Sequence, residues 1–108
     1  MSKFQVFKST ADGQYYYHLK SANNEIIQSG EGYTSKANCL QGITSVQRNC
    51  QPERFEPYYA LGQYGFNQVA TNGEIIGRSE KYTASAARDH GIEAVIRLAP
   101  SALIEDLA

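Results

Sequence analysis

The stretch Asn23-Asn24-Glu25-Ile26-Ile27 returns as Asn72-Gly73-Glu74-Ile75-Ile76, 49 residues later, and the echo runs through most of the chain. Such self-similarity constrains a fold before any single residue does, because each copy builds the same unit and the units bury their faces together. With the same offset Glu31 matches Glu80, Tyr33-Thr34 matches Tyr82-Thr83, Ala37 matches Ala86, and Gly42-Ile43 matches Gly91-Ile92. Val46 matches Val95 and Arg48 matches Arg97; upstream, Gly13-Gln14-Tyr15 matches Gly62-Gln63-Tyr64 and Tyr17 matches Phe66. Only the first strand needs an offset of 51, which pairs Phe4 with Phe55 and Phe7 with Tyr58. The second copy therefore lacks two residues in its first turn, where length changes are best tolerated.

Each copy reads the same way. Phe4 to Lys8 predicts a short strand, Asp12-Gly13 a turn, and Tyr15 to Lys20 a second strand with alternating faces. Asn23-Asn24 and Asn72-Gly73 predict two-residue hairpin turns, since both residue types tolerate positive φ. Glu25 to Gln28 predicts a third strand. Thr34 or Ser35, and Thr83 or Ser85, can then cap a helix by accepting from its free N–H groups.

The helices are expected to run to about Asn49 and Ala99, with Cys39, Ile43, Val46 and Cys50 as a core-facing stripe in the first. The second stripe is Arg88, Ile92, Val95 and Ala99, so its first turn must open to solvent or pair the arginine. Gly42 and Gly91 sit inside these helices at a cost of ~1 kcal/mol each relative to alanine. Their recurrence predicts close packing against the sheet or a kink, the kink being favoured because Ala37 and Ala86 lie off the stripe. Pro52 and Pro100 stop the helices, and extended segments follow. Residues 1–108 thus form one domain of two repeats, about 1–51 and 52–108, with segment 53–59 shared at the junction.

A chain of 108 residues buries about two thirds of its unfolded surface, enough for a core without staples. Its net charge of −1 comes from interspersed acids and bases, which denies nucleic-acid binding its usual basic stripe. No apolar run approaches the ~20 residues that cross a bilayer, and the N-terminus enters a strand pattern directly, so a cytoplasmic protein is expected. Cys39 and Cys50, if on one continuous helix, lie ~16 Å apart along its axis, beyond the ~7 Å Cα separation of a disulfide. They are expected reduced and buried.

The ordered set F-x-V-F-K-S, D-G-x-Y-Y, H-L-K, N-x-E-I-I, E-x-Y-T-S-K-A, G-I-x-S-V and I-E-D-L, over residues 3 to 107, resembles the YegP-like family of short bacterial domains of unknown function. That resemblance implies an α+β fold of two tandem β-β-β-α-β repeats. They would form one continuous antiparallel sheet, with both helices on one face and the C-terminal strands exchanged between repeats. Segment 102–107 would then pair within the half built mainly from copy one. The family brings no reaction, cofactor or catalytic residue. Two departures from its pattern are Pro57 inside a strand, which suggests an edge or bulge, and Gly65 in place of an aromatic.

Candidate chemistry is sparse. Alternation puts Tyr16, His18 and Lys20 on one face of the second strand, an aromatic flanked by basic side chains as in base-stacking sheets. The second copy has Gly65, Asn67 and Val69 there, so an ordinary solvated sheet face explains the trio better. Glu31 and Glu80 suggest paired acids, but a place near helix N-termini accounts for them. Gly30-Glu31-Gly32 is an incomplete phosphate loop, and His18, His90, Cys39 and Cys50 lack metal-ligand spacing. No catalytic, metal or cofactor residue is assigned. The expected role is a monomeric, non-enzymatic interaction module with an unknown protein partner and no membrane association. Nucleic-acid binding through the aromatic face is the alternative, and a small molecule in a cleft between the repeats comes third.

Overall fold

Phe4 and Val6 alternate with Lys3, Gln5 and Phe7, and that period of two buries the first pair completely while the others stay half-exposed. In the computed structural model, which describes residues Met1 to Ala108, this strand is β1 (Lys3–Lys8). β2 (Tyr15–Lys20), β3 (Ile26–Ser29) and helix α1 (Lys36–Arg48) complete the first repeat. A 3-10 turn at Pro52–Arg54 opens the second: β4 (Phe55–Ala60), β5 (Gln63–Val69), β6 (Ile75–Ser79) and α2 (Ser85–Leu98). A second 3-10 turn, Ala99–Ser101, leads into β7 (Leu103–Asp106).

All seven strands form one sheet in the order β4-β5-β6-β3-β2-β1-β7. The repeats meet antiparallel at β3 and β6, where Gln28 opposes Ser79 and Ser29 opposes Arg78. The C-terminal strand of the second repeat crosses to the first and pairs with β1, Phe4 opposite Ile104 and Val6 opposite Asp106. The exchange of C-terminal strands therefore runs in one direction only, from the second repeat to the first, since no strand flanks β4 on its outer side. The sheet is mixed rather than wholly antiparallel, because a helical connection returns β7 to the edge running in the same direction as β1. β4, which carries Pro57, is the opposite edge. An edge tolerates the missing N–H that an inner ladder would need.

The turns explain the change of offset. Lys8 pairs with Tyr15 and Ser9 N–H donates to Gln14 C=O, which leaves a four-residue loop with Gly13 at φ 72°. In the second copy Ala60 pairs with Gln63 around Leu61-Gly62 alone, both at positive φ (52° and 77°). The loops at Asn24 and Gly73 are one residue longer than expected. Ser21 and Ala70 donate to Glu25 and Glu74, enclosing three residues, the last of them Asn24 at φ 71° or Gly73 at φ 85°.

Both helices lie on one face. Phe4, Tyr17, Leu19, Phe55 and Phe66 of the strands join Cys39, Ile43 and Val46 of α1 and Val95 of α2 in a single core. Burying each large apolar side chain is worth about 1.5–3 kcal/mol. Ser35 caps α1 by accepting from Asn38 N–H at 3.1 Å. Neither Thr83 nor Ser85 caps α2: its N-cap is Ala84, in the right backbone conformation but without an acceptor. Gly42 and Gly91 are explained by close approach, with the tyrosine preceding each helix as the neighbour. A Cβ at Gly42 would collide with the hydroxyl end of Tyr33, and one at Gly91 with that of Tyr82. The stripe is buried in α1 at Cys39, Ile43 and Val46, whereas Cys50 lies beyond the helix end and is half-buried; in α2 the mostly buried Arg88 side chain pairs with Asp89 at 2.8 Å and lies 5.5 Å from the Tyr64 ring centre.

Candidate functional site

Helices on one face leave Lys3, Gln5, Phe7, Tyr16, His18 and Lys20 of β1 and β2 on the other, each half-exposed. Phe7, opposite Tyr16, joins the trio read from the sequence. Its ring stacks on Tyr16 (centroids 6.0 Å, planes 19° apart) and meets His18 edge-on at 4.7 Å. The β1 register was the signal that would have found it. Lys20 sits at the end of the row, opposite Lys3.

Polar groups around this cluster are engaged. The Tyr16 hydroxyl donates to Asp12, which raises the Tyr16 phenol and holds the Asp12 carboxyl below the usual range. Partial burial, then the charge of Lys20, lower the His18 imidazole below its ordinary value, so it is neutral at pH 7. A neutral ring stacks but brings no cation to a phosphate. On the same face the second copy has Gly65 opposite Tyr58. The Tyr58 ring covers that glycine, where a Cβ would not fit, and takes Lys81 Nζ 4.8 Å from its centre. The aromatic cluster therefore exists once.

The remaining sequence candidates are dispersed. Glu31 binds Arg78 across the repeat seam, Oε1 lying 2.6 Å from Nη2 and 2.9 Å from Nε. This exposed pair contributes little, about 0–1 kcal/mol. Glu80 forms no such pair, since Ser29 stands where Arg78 would be. Cys39 is buried in α1 and Cys50 lies beyond its end, both free. Burial pushes the Cys39 thiol up to about 11 and raises Cys50, which keeps both protonated near neutrality and poor nucleophiles.

Sequence reasoning missed a buried amide pair. Gln28 Nε2 donates to Gln68 Oε1 at 2.8 Å and to the Tyr17 hydroxyl at 3.2 Å. Gln68 Nε2 reaches the carbonyls of Val46 (3.0 Å) and Asn49 (2.7 Å) at the end of α1, and Tyr17 donates to Ile76 C=O at 2.7 Å. It ties both repeats to one helix terminus.

The residues common to both copies gather at two clefts between the repeats. One, of ≈ 750 Å³, sets Asn23, Glu25 and Ile26 against Glu80, Tyr82 and Arg97. The other, of ≈ 460 Å³, sets the mates Asn72, Glu74 and Ile75 against Glu31 and Tyr33. Both are open grooves; the first sets carboxylates beside Arg97, and the second is lined by the acids Glu31 and Glu74 with no basic residue.

With this architecture in view, a family model described as a domain of unknown function, DUF1508, matches residues 11–56 and again 60–106. The chain belongs to the DUF1508 family. Similarity to its members is substantial. A UPF0339 protein YegP of Yersinia pestis is 43% identical over 63 residues, covering 50% of this chain and 56% of that one. The match thus spans little more than half of that relative. A UPF0339 protein of Neisseria meningitidis serogroup B is 52% identical over 40 residues, 37% of this chain and 70% of its own. The solution structure of the yegP protein of unknown function from E. coli is similar at a TM-score of 0.92 and 38% identity, covering 98% of this chain and 92% of that one. For a UPF0339 protein of Shewanella oneidensis the values are 0.91, 37%, 98% and 91%. The tandem DUF1508 fold is thereby shared, and these relatives indicate no specific activity.

Proposed function

We propose that this DUF1508 chain is a monomeric, non-enzymatic interaction module that offers the open face of its sheet to a protein partner. The observation that carries this reading is one-sided coverage: both helices pack on one face, and the other presents the half-exposed Phe7–Tyr16–His18 cluster. Aromatic rings held rigid by strand pairing make contact area at low entropic cost. The raised thiols support the non-enzymatic part, and two free cysteines suit the reducing cytosol. No helix is long and apolar enough to cross a membrane. The two repeats already join into one sheet through β3 and β6 within one chain, which supports a monomer.

Affinity capture with mass spectrometry, run in parallel on the native chain and a Phe7→Ala/Tyr16→Ala variant, tests the reading. A partner retained by the first and lost by the second is expected; identical profiles would overturn it. Sedimentation at micromolar concentration should give the monomer mass. Nucleic acid is the alternative occupant of this face. Against it stand the lowered pKa of His18 and the Glu105 carboxylate, which pairs with Lys3 at 3.7 Å and lies near Lys20. Saturable, salt-sensitive binding of short single-stranded oligonucleotides would reverse that preference.

The paired clefts favour a second reading, a small ligand held between repeats, because the residues that recur in both copies line both grooves. A thermal-shift screen with metabolites decides it: a ligand at 100 times its Kd adds about 2.7 kcal/mol of stability.

A further inference from the structure

The internal two-fold leaves one place unfilled. β7 covers the outer edge of β1, but β4, the counterpart of β1, has no strand on its outer side. Burial records the difference position by position. Val6 is inaccessible and its mate Pro57 is exposed; Ile43 is inaccessible and its mate Ile92 is half-buried. Between β4 and α2 this leaves an open groove of ≈ 500 Å³, floored by Phe55, Pro57, Ile92 and Ile96. It lies where the two-fold would put an eighth strand.

We infer that this groove is a docking slot for an extended segment of a partner protein, laid parallel to β4 and carrying apolar residues followed by a basic pair. The occupied slot shows how such a strand is held. Leu107 N–H donates to Val6 C=O at 2.7 Å, Gln5 Nε2 to Glu105 at 2.6 Å, and Lys36 Nζ to Asp106 at 3.0 Å. An acidic strand is thus gripped by Lys3, Gln5 and Lys36. In the vacant slot the net charge of the corresponding positions turns from basic to acidic. Glu56 replaces Gln5 and Ser85 replaces Lys36, while Asp89 and Glu93 on α2 replace Leu40 and Thr44. Asp89 is already paired with Arg88, and Arg54 keeps the positive charge of Lys3, so Glu56 and Glu93 carry the reversal. Like charges repel the β7 of a second copy, whereas lysines or arginines at the places of Glu105 and Asp106 meet carboxylates.

The edge itself selects its partner. Phe55 N–H is spent on Pro52 C=O and Pro57 has none, so the first half of β4 offers carbonyls only. Indiscriminate pairing with other strand edges is discouraged. A strand that fits must donate its N–H groups, as Leu107 does to Val6, and must match the groove by side chain. This surface is separate from the open face, and either can fail without the other.

The test uses two fluorescein-labelled octapeptides: SALIEDLA, the sequence of residues 101–108, and SALIKKLA, in which the acidic pair is lysine. Anisotropy with the full chain at low salt should show the lysine peptide binding at least tenfold more tightly. Glu56→Lys/Glu93→Lys, two exposed changes, should invert that order. Amide shift changes should fall on residues 55–59 and on the 89–96 face of α2. Absence of saturable binding, equal binding of both peptides, tighter binding of the acidic one by the native chain, or shifts confined to the open face would each overturn the slot.

Discussion

Ser29 and Arg78 stand opposite one another across the seam between the repeats, and they are also repeat mates, 49 residues apart. The two-fold relation therefore passes between them, and every other seam contact occurs twice unless the sequence breaks it. It breaks at the next inner pair of positions. The mate of Gln28 is Gly77, and the mate of Gln68 is Leu19, so the two amides meet once, in the room the glycine leaves.

That amide pair should show strong coupling. Gln68→Leu removes the acceptor of Gln28 and the donor that satisfies Val46 and Asn49, leaving buried polar groups at about 1–3 kcal/mol each. Gln28→Leu/Gln68→Leu should cost less than the sum of the single changes, since both halves of the unmet bond disappear together. Urea unfolding of the four proteins measures this. Additive losses would show that the amides act independently.

The missing cap on α2 should be easy to restore. Ala84 has φ −139° and ψ 146°, close to the −139° and 156° of Ser35, whose hydroxyl caps α1. Ala84→Ser should stabilise the chain by about 0.5–2 kcal/mol, and Ser35→Ala should cost a similar amount. The midpoint of denaturant unfolding reads both. No gain from Ala84→Ser would mean the hydroxyl does not reach the helix N–H groups.

Leu61 holds a left-handed conformation at φ 52° while its side chain is fully exposed, so it bears strain with no burial to offset it. The cost is about 1–2 kcal/mol for an ordinary residue and less for asparagine, which suits this turn beside Gly62. Leu61→Asn should raise the unfolding midpoint, and Gly62→Ala, at φ 77°, should lower it. Thermal unfolding followed by circular dichroism would reveal the opposite order if the turn were relaxed.

Much of this architecture was legible because repetition reports it twice. The two-residue gap appears as the shortened Leu61-Gly62 turn, and the Cys39–Ile43–Val46 stripe is the buried face of α1. Local readings failed where a distant neighbour decides. A Cβ at Gly42 would collide with the Tyr33 hydroxyl, and Glu31 pairs with an arginine of the other repeat. Asn23-Asn24 predicted a two-residue turn, whereas the register between β2 and β3, with its bulge at Leu19–Lys20, sets three. At the candidate face, alternation grouped Tyr16, His18 and Lys20, but Phe7 joins them through pairing between strands. The vacant strand beside β4 could not be read at all, because an absence becomes visible only once the other edge is seen to be filled.

His18 turns that face into a measurable pH probe. Burial against Phe7, then Lys20, lowers its imidazole below the ordinary value of 6.5. The unfolded chain takes up that proton first, so the contribution of His18 to stability is present above pH 6.5 and is lost as pH falls through the lower folded value. The His18 ring resonance in NMR should therefore titrate below 6.5. Phe7→Ala, which exposes the ring, should move the midpoint up, and Lys20→Gln should move it up by less, since the charge is the smaller cause. His18→Gln should flatten the stability profile just below pH 6.5. A midpoint at or above 6.5 in the native chain would mean that the ring is solvated and that the aromatic cluster is looser than its stacking distances indicate.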